Sequence, residues 1–367
     1  MHHLGLNRDP SHIKESAPAE AEVRRRVWAT TVELLVQASI DSGQTPLIST
    51  DDFDCERPSD LDDFRTDDGG DQAVKTRKSA QNILVDSLPV RLQIAKFLNH
   101  FRSDLSYSTA LSLSAQLTRL IRTHSSSLTE SSESEKFQRK MVEFLTQRFL
   151  IPLHHMFAGQ AKTSPAFYFS RRMCLDASLL VLNSTRPEPG AQLYRKLMGL
   201  GNGLYHITLL HAAVCIVLEL MWQNDEASSL SSLVTQSSLL SQQEQKAAIR
   251  SYATLVRERL KKGQGNFKVY VLVGLAVAQL DNLEGEGAEE SDLAKHMEDM
   301  LEECVETLAK TLPGRPDTQD NQGSLQAEEL GDLDFNINDL PTSFDVSEIL
   351  SLSDELFSDK DFWLFQS

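Results

Sequence analysis

Apolar residues recur along this chain every three to four positions, and strict apolar–polar alternation is nearly absent. That period places residues i, i+3, i+4 and i+7 on one helical face, so the pattern predicts helices throughout. The clearest runs from Glu20 to Ile40: Trp28, Val32, Leu35, Val36 and Ser39 share a face, and Ser42-Gly43 supplies a stop. Further helices are predicted at about 73–101 with Pro89 breaking the segment near its middle, at 107–124, and at 136–157 with a kink or split at Pro152. The series continues at 168–183, 203–223, 241–262, 267–281 and 290–312. Polar or glycine-bearing stretches separate them, among them TPLISTDDFDCERPSDLDD (45–63), the serine-rich SSSLTESSESE (125–135) and GLGNG (199–203).

The periodicity ends at Pro313-Gly314-Arg315-Pro316. The expected architecture is therefore all-α: one multi-helix domain over 1–312, followed by a disordered acidic tail over 313–367. The most apolar segment, GLYHITLLHAAVCIVLELMW (203–222), is interrupted by His206, His211 and Glu219. A membrane span needs about 20 predominantly apolar residues, so this one reads as a buried helix of a soluble protein with no membrane partner. The first 16 residues lack the continuous apolar core of a signal peptide.

Charge changes the picture in two places. The net charge is −17, but residues 317–367 hold 13 acids against one lysine and so account for −12 of it. A nearly balanced body with an acidic tail argues against a general electrostatic grip on phosphate backbone. The second place is Arg24-Arg25-Arg26, at the start of the first predicted helix. Three successive arginines point in three directions, and the positive end of a helix dipole does not favour them. Acids precede them at Glu20 and Glu22 and crowd the loop at 51–63. The expected role is a structural clamp, with an arginine fork on a loop carboxylate such as Asp52 or Asp54. Trp28 is expected in the core.

Candidate chemistry is sparse. Cys55, Cys174, Cys215 and Cys304 are scattered with no CxxC pair, which fits a reducing compartment and offers no zinc cluster in this chain. His154, His155, His206 and His211 lack HExxH spacing and read as core or surface histidines, so no metal, cofactor or catalytic residue is assigned. GLGNG follows no predicted strand and reads as an interhelical turn; GxSxG and P-loop patterns are missing. No enzymatic activity is expected.

Several stretches in order resemble the middle homology region of fungus-specific transcription factors: GLNRDPSH, EVRRRVWA, PLISTDDFDCERPSDLDD, SLPVRLQIAKFLNHFRSDLSYSTALSLSAQL (87–117), QRFLIPLHHMFA (147–158), FYFSRRMCLDASLLVL (167–182) and RERLKKGQGNFKVYVLVGLAVAQL (257–280). The resemblance covers roughly residues 4–281. It marks Arg24, Arg25, Arg26, Trp28, Pro46, Asp52, Asp54 and Pro58 as the structural signature of the region. It implies a nuclear regulator of RNA polymerase II transcription that controls a metabolic or secondary-metabolite gene cluster. The helical region would regulate, by closing over the tail or by sensing a metabolite between helices. Family members commonly carry a six-cysteine zinc module for DNA binding, and nothing here matches it. DNA contact is expected only through such a module upstream, which would bring zinc, or through a partner; a homodimer is allowed. The alternative is a stand-alone helical binding module that partners or inhibits a full-length relative.

The tail supplies a signal independent of the resemblance. Acids interleave with Phe335, Ile349, Leu350, Leu356, Phe357, Phe362, Trp363, Leu364 and Phe365. Such a segment stays solvated until a coactivator groove folds it into a short helix read at i, i+3, i+4 spacing, so these residues are the candidate activation segment, the alternative being a C-terminal helix that docks on its own domain.

Overall fold

The first helix, α1 (Pro18–Ser42), begins with a proline whose missing N–H costs nothing in the first turn, and ends at Gly43 in the left-handed conformation, φ 61°. Its buried residues include Trp28, Val32, Val36 and Ser39 from the predicted stripe. The computed structural model describes residues 4–12, 17–60, 79–99, 106–125, 132–200, 205–229, 236–263, 266–282, 295 and 299–307. Among them helices, short 3-10 turns and loops occur, and no strand. The tail residues named above, Phe335 to Phe365, lie outside the described residues.

The helices after α1 are α2 (Ala80–Asn99), α3 (Tyr107–Ser125), α4 (Glu133–Gln147), α5 (Leu150–Ala158), α6 (Tyr168–Asn183), α7 (Gln192–Leu200), α8 (His206–Ser229), α9 (Gln236–Lys261) and α10 (Phe267–Asn282). Two proline expectations resolve differently. Pro89 does not break α2. Its ring is exposed, the flanking Leu88 and Val90 are buried, and the Leu84 carbonyl one turn earlier accepts from Ser87 Oγ at 3.0 Å and Arg91 Nη2 at 2.6 Å. Packing on both sides of the proline, with side chains serving nearby backbone, outweighs the lost helical bond. Pro152 lies in the first turn of α5, and the split falls at Arg148-Phe149. A proline ring collides with the carbonyl four residues earlier, here that of Arg148, so the break precedes the proline. At the serine-rich stretch, Ser132 caps α4 by accepting from the Glu135 N–H, so residues 133–135 are helical. Helix α7 was not anticipated; it buries Tyr194 and Met198.

The chain divides into two compact units, residues 1–252 and 253–367, and the division falls inside the stretch expected as one helical domain, with α9 contributing to both. In the first unit α1 packs on α2, α2 on α3 and α4, α5 on α6, and α6 on α8. Helix α8 contains the one described helical segment long and apolar enough to cross a membrane, and 83% of its most apolar window is buried inside the protein. Two arginines of this core are fully buried. Arg91, fully buried, forks onto Glu33 at 2.6 and 2.7 Å and lies 5.5 Å from the Phe149 ring; Arg148, equally buried, pairs with Asp41. In the second unit Glu303 accepts from Arg257 Nε at 2.7 Å and from the Tyr270 hydroxyl, and Gly274 of α10 lies against Met300.

Candidate functional site

The arginine run sits where the N-terminal segment (4–12), α1 and the loop 43–60 meet, and its three side chains take three kinds of partner. Arg24 donates to the carbonyls of Leu4 and Gly5 at 3.2 and 3.4 Å. Arg25 forks onto Asp9, Nε to Oδ2 at 2.9 Å and Nη2 to Oδ1 at 2.8 Å. Arg26 pairs with Glu22 at 2.9 Å, and the same carboxylate accepts from the Ser59 N–H. The fork therefore lands on Asp9, not on Asp52 or Asp54. Asp52 caps the short turn Thr50–Asp52 by accepting from the Ser49 N–H at 2.6 Å. Asp54 accepts from the Asp9 N–H at 2.9 Å and pairs with Arg8 at 3.3 Å.

Asp9 organises this junction. Its side chain is 2% exposed and also accepts from the N–H groups of Ser11 and Glu56, at 2.9 and 3.0 Å. The Arg25 hydrogen bonds, helped by these amides, hold its carboxyl well below the usual carboxylate range against the opposing effect of burial. Trp28 is buried, edge-on to Phe53 with centroids 5.5 Å apart. Pro58 is buried and its carbonyl accepts from Asn82 Nδ2 at 2.9 Å; Pro46 is half-buried. The geometry of the signature is that of a rivet between loop and helices, with its cations committed internally.

A second constellation lies between α5, α6 and α8. On α5, His154 is fully buried, with Nδ1 2.9 Å from Ser170 Oγ and Nε2 2.8 Å from Ser114 Oγ, and burial drops its pKa to about 4. The next residue, His155, turns towards α8. Its Nδ1 lies 2.9 Å from Cys215 Sγ and 3.2 Å from His211 Nε2. Cys174 on α6 completes the group: the donor atoms of His155, Cys174 and Cys215 all lie within 4.8 Å of one another. Hydrogen bonding from Cys215 favours the Cys174 thiolate, whereas burial pushes the Cys215 thiol up. Burial, reinforced by His155, holds His211 neutral.

Beside this group Arg171 donates to Glu219 at 2.7 and 3.1 Å and to Glu226 at 2.5 and 3.3 Å, with its guanidinium 5.4 Å from the Trp222 ring. His155, Cys174, Cys215, Arg171, Glu219 and Trp222 help to line a cavity of about 20 Å³. That is room for one water-sized guest and too little for a metabolite. The sequence offered only one trace of this cluster, the i, i+4 spacing of His211 and Cys215; His155 and Cys174 reach it from other helices.

Comparison with known proteins gives a consistent set of relatives. Residues 1–151 match the family described as Fungal specific transcription factor domain. Transcription factor lepE of Aspergillus flavus is 32% identical over 341 residues, which is 88% of this chain and 41% of that protein. Transcription factor asR3 of Sarocladium schorii is 27% identical over 94% of this chain and 47% of its own length. The Aspyridones cluster regulator apdR of Emericella nidulans is 29% identical over 83% of this chain and 44% of its own. The chain thus spans less than half the length of each of these relatives. No solved structure matches.

Proposed function

We propose that this chain, whose residues 1–151 match the family described as Fungal specific transcription factor domain, regulates RNA polymerase II transcription in the nucleus, with a secondary-metabolite gene cluster as its target. The observation that carries this reading is the alignment of 83% of the chain with a protein named as a cluster regulator. Matches to two named transcription factors over 88% and 94% of the chain support it. In this reading the helical part, 1–312, is the regulatory body and turns over no substrate. Internally paired arginines and buried ion pairs suit a scaffold better than a nucleic-acid surface. DNA is reached through a zinc module outside this chain or through a partner subunit. The tail, 313–367, recruits coactivators through Phe335, Ile349, Leu350, Leu356, Phe357, Phe362, Trp363, Leu364 and Phe365, as acidic-hydrophobic segments do.

The test joins the whole chain to a heterologous DNA-binding module and measures a reporter, alongside transcripts of biosynthetic genes in a strain deleted for the native gene. Reporter activation and loss of cluster transcripts are the expected results. A silent reporter with unchanged transcripts would sink the reading and favour a binding module that partners or inhibits a full-length relative.

A further inference from the structure

One nitrogen and two sulfur donors, those of His155, Cys174 and Cys215, lie within 4.8 Å of one another in the first unit where α5, α6 and α8 meet, a second nitrogen, His211 Nε2, lies 3.2 Å from that of His155, and none of their chemistry is needed for the reading above. Cys174 and Cys215 are buried, and His155 and His211 beside them are half-buried residues. We propose that His155, Cys174 and Cys215 bind one zinc ion, with His211 standing at the fourth coordination position.

The spacing suits that ion. Tetrahedral zinc, with Zn–N of about 2.0 Å and Zn–S of about 2.3 Å, sets its ligand atoms about 3.3–3.8 Å apart. The His155–His211 nitrogen separation is 3.2 Å, the His155–Cys215 separation is 2.9 Å, and all three core donors fall within 4.8 Å. Opening the shortest edge by about half an ångström is within the reach of side-chain torsion. The adjoining cavity of about 20 Å³ leaves room for an ion or a bound water.

The electrostatics agree. In the bound state both sulfurs are thiolates, any remaining thiol proton leaving to solvent, and the two thiolates neutralise the dication while the imidazoles contribute no charge. The nearby cation, Arg171, is already engaged by Glu219 and Glu226, so one arginine faces two carboxylates and repulsion of an incoming cation is offset. Mixed imidazole and thiolate donors exclude magnesium and calcium, which take oxygen ligands. The ion would tie together three helices whose ligands lie 19, 56 and 60 residues apart along the chain, a connection that hydrogen bonds among the same groups make more weakly.

The experiment uses the full chain, stripped of metal and kept reduced, titrated with zinc against a chromophoric chelator. Cobalt is used in parallel as a spectroscopic probe. The expected result is one zinc per chain, and a cobalt form with a thiolate-to-metal charge-transfer band and tetrahedral d–d bands. Cys174→Ser, Cys215→Ser and His155→Ala should each weaken binding by more than about 100-fold, beyond what changes outside the ligand set produce. Cys55→Ser and Cys304→Ser should leave it intact. A wild-type chain that takes up no stoichiometric zinc overturns the proposal, as does wild-type affinity in either cysteine variant or recovery of Cys174 and Cys215 as a disulfide from reducing extracts. The cobalt spectrum is read on the wild-type chain, so the test stands even if a variant fails to fold. None of these outcomes depends on transcriptional activity.

Discussion

Asp9→Asn keeps the size of a buried side chain and removes its charge. In the wild type the two carboxylate oxygens accept four hydrogen bonds: two from Arg25 and one each from the amides of Ser11 and Glu56. Whichever way the new amide turns, its NH2 faces two donors, an Arg25 nitrogen and a backbone N–H. Hydrogen bonds to charged groups contribute roughly 1.5–3 kcal/mol each, but Arg25 is 21% exposed and both amides belong to exposed residues, so water recovers part of the loss. The net expectation is a loss of about 2–3 kcal/mol, read as a fall of about 1 M in the urea midpoint. Arg25→Met should cost a similar amount. The double variant should lose clearly less than the sum, giving a coupling energy of about 2 kcal/mol. Arg24→Ala, which gives up two long contacts to carbonyls, should cost under about 1 kcal/mol.

The pH dependence provides a second arm. Asp9 titrates below its unfolded value of 3.8 in the folded chain, so its contribution is complete above about pH 4 and disappears as pH falls through the lower folded value. The stability gap between wild type and Asp9→Asn should therefore be constant near neutrality and close below about pH 4. Near-identical urea midpoints, a coupling energy below about 0.5 kcal/mol, or a gap that persists to strong acid would each refute the clamp.

Three further outcomes are expected. Pro89→Ala restores a helical N–H at an exposed position of α2 and should raise stability by about 1–2 kcal/mol, partly offset by a freer unfolded chain; thermal melting reads it, and a lower midpoint counts against the account of α2. Gly274→Val drives a branched side chain into Met300 and should destabilise by about 1–3 kcal/mol, seen in urea unfolding; an unchanged midpoint would mean that Met300 moves aside freely. Replacing Phe357, Phe362, Trp363 and Phe365 together by alanine should abolish reporter activation by a tethered 317–367 fragment, and undiminished activation would remove the aromatic anchors from the tail's function.

The residues that the sequence placed well are those governed by neighbours along the chain. The stripe Trp28, Val32, Val36, Ser39 and the stop at Gly43 follow from helical period and backbone conformation, both settled within a few residues. The bounds of α6, Tyr168–Asn183, were legible for the same reason. Local pattern also established that Arg24–Arg26 lie near a helix start among acids, but not which acid the fork would take. Asp9 is only 16 residues from Arg25, yet its selection depends on how the N-terminal segment and the loop at 49–60 fold against α1. Pro89 illustrates the converse, since a local rule predicted a break and burial of both flanks overrode it. The His155–Cys174–Cys215 cluster was the least legible, because spacing along one chain reports a shared face only within a helix. Helical periodicity is a property of consecutive residues, so the sequence by itself determined the all-α class and the buried faces. Which side chains meet across α5, α6 and α8 depends on how those faces pack, and only the tertiary structure decided it.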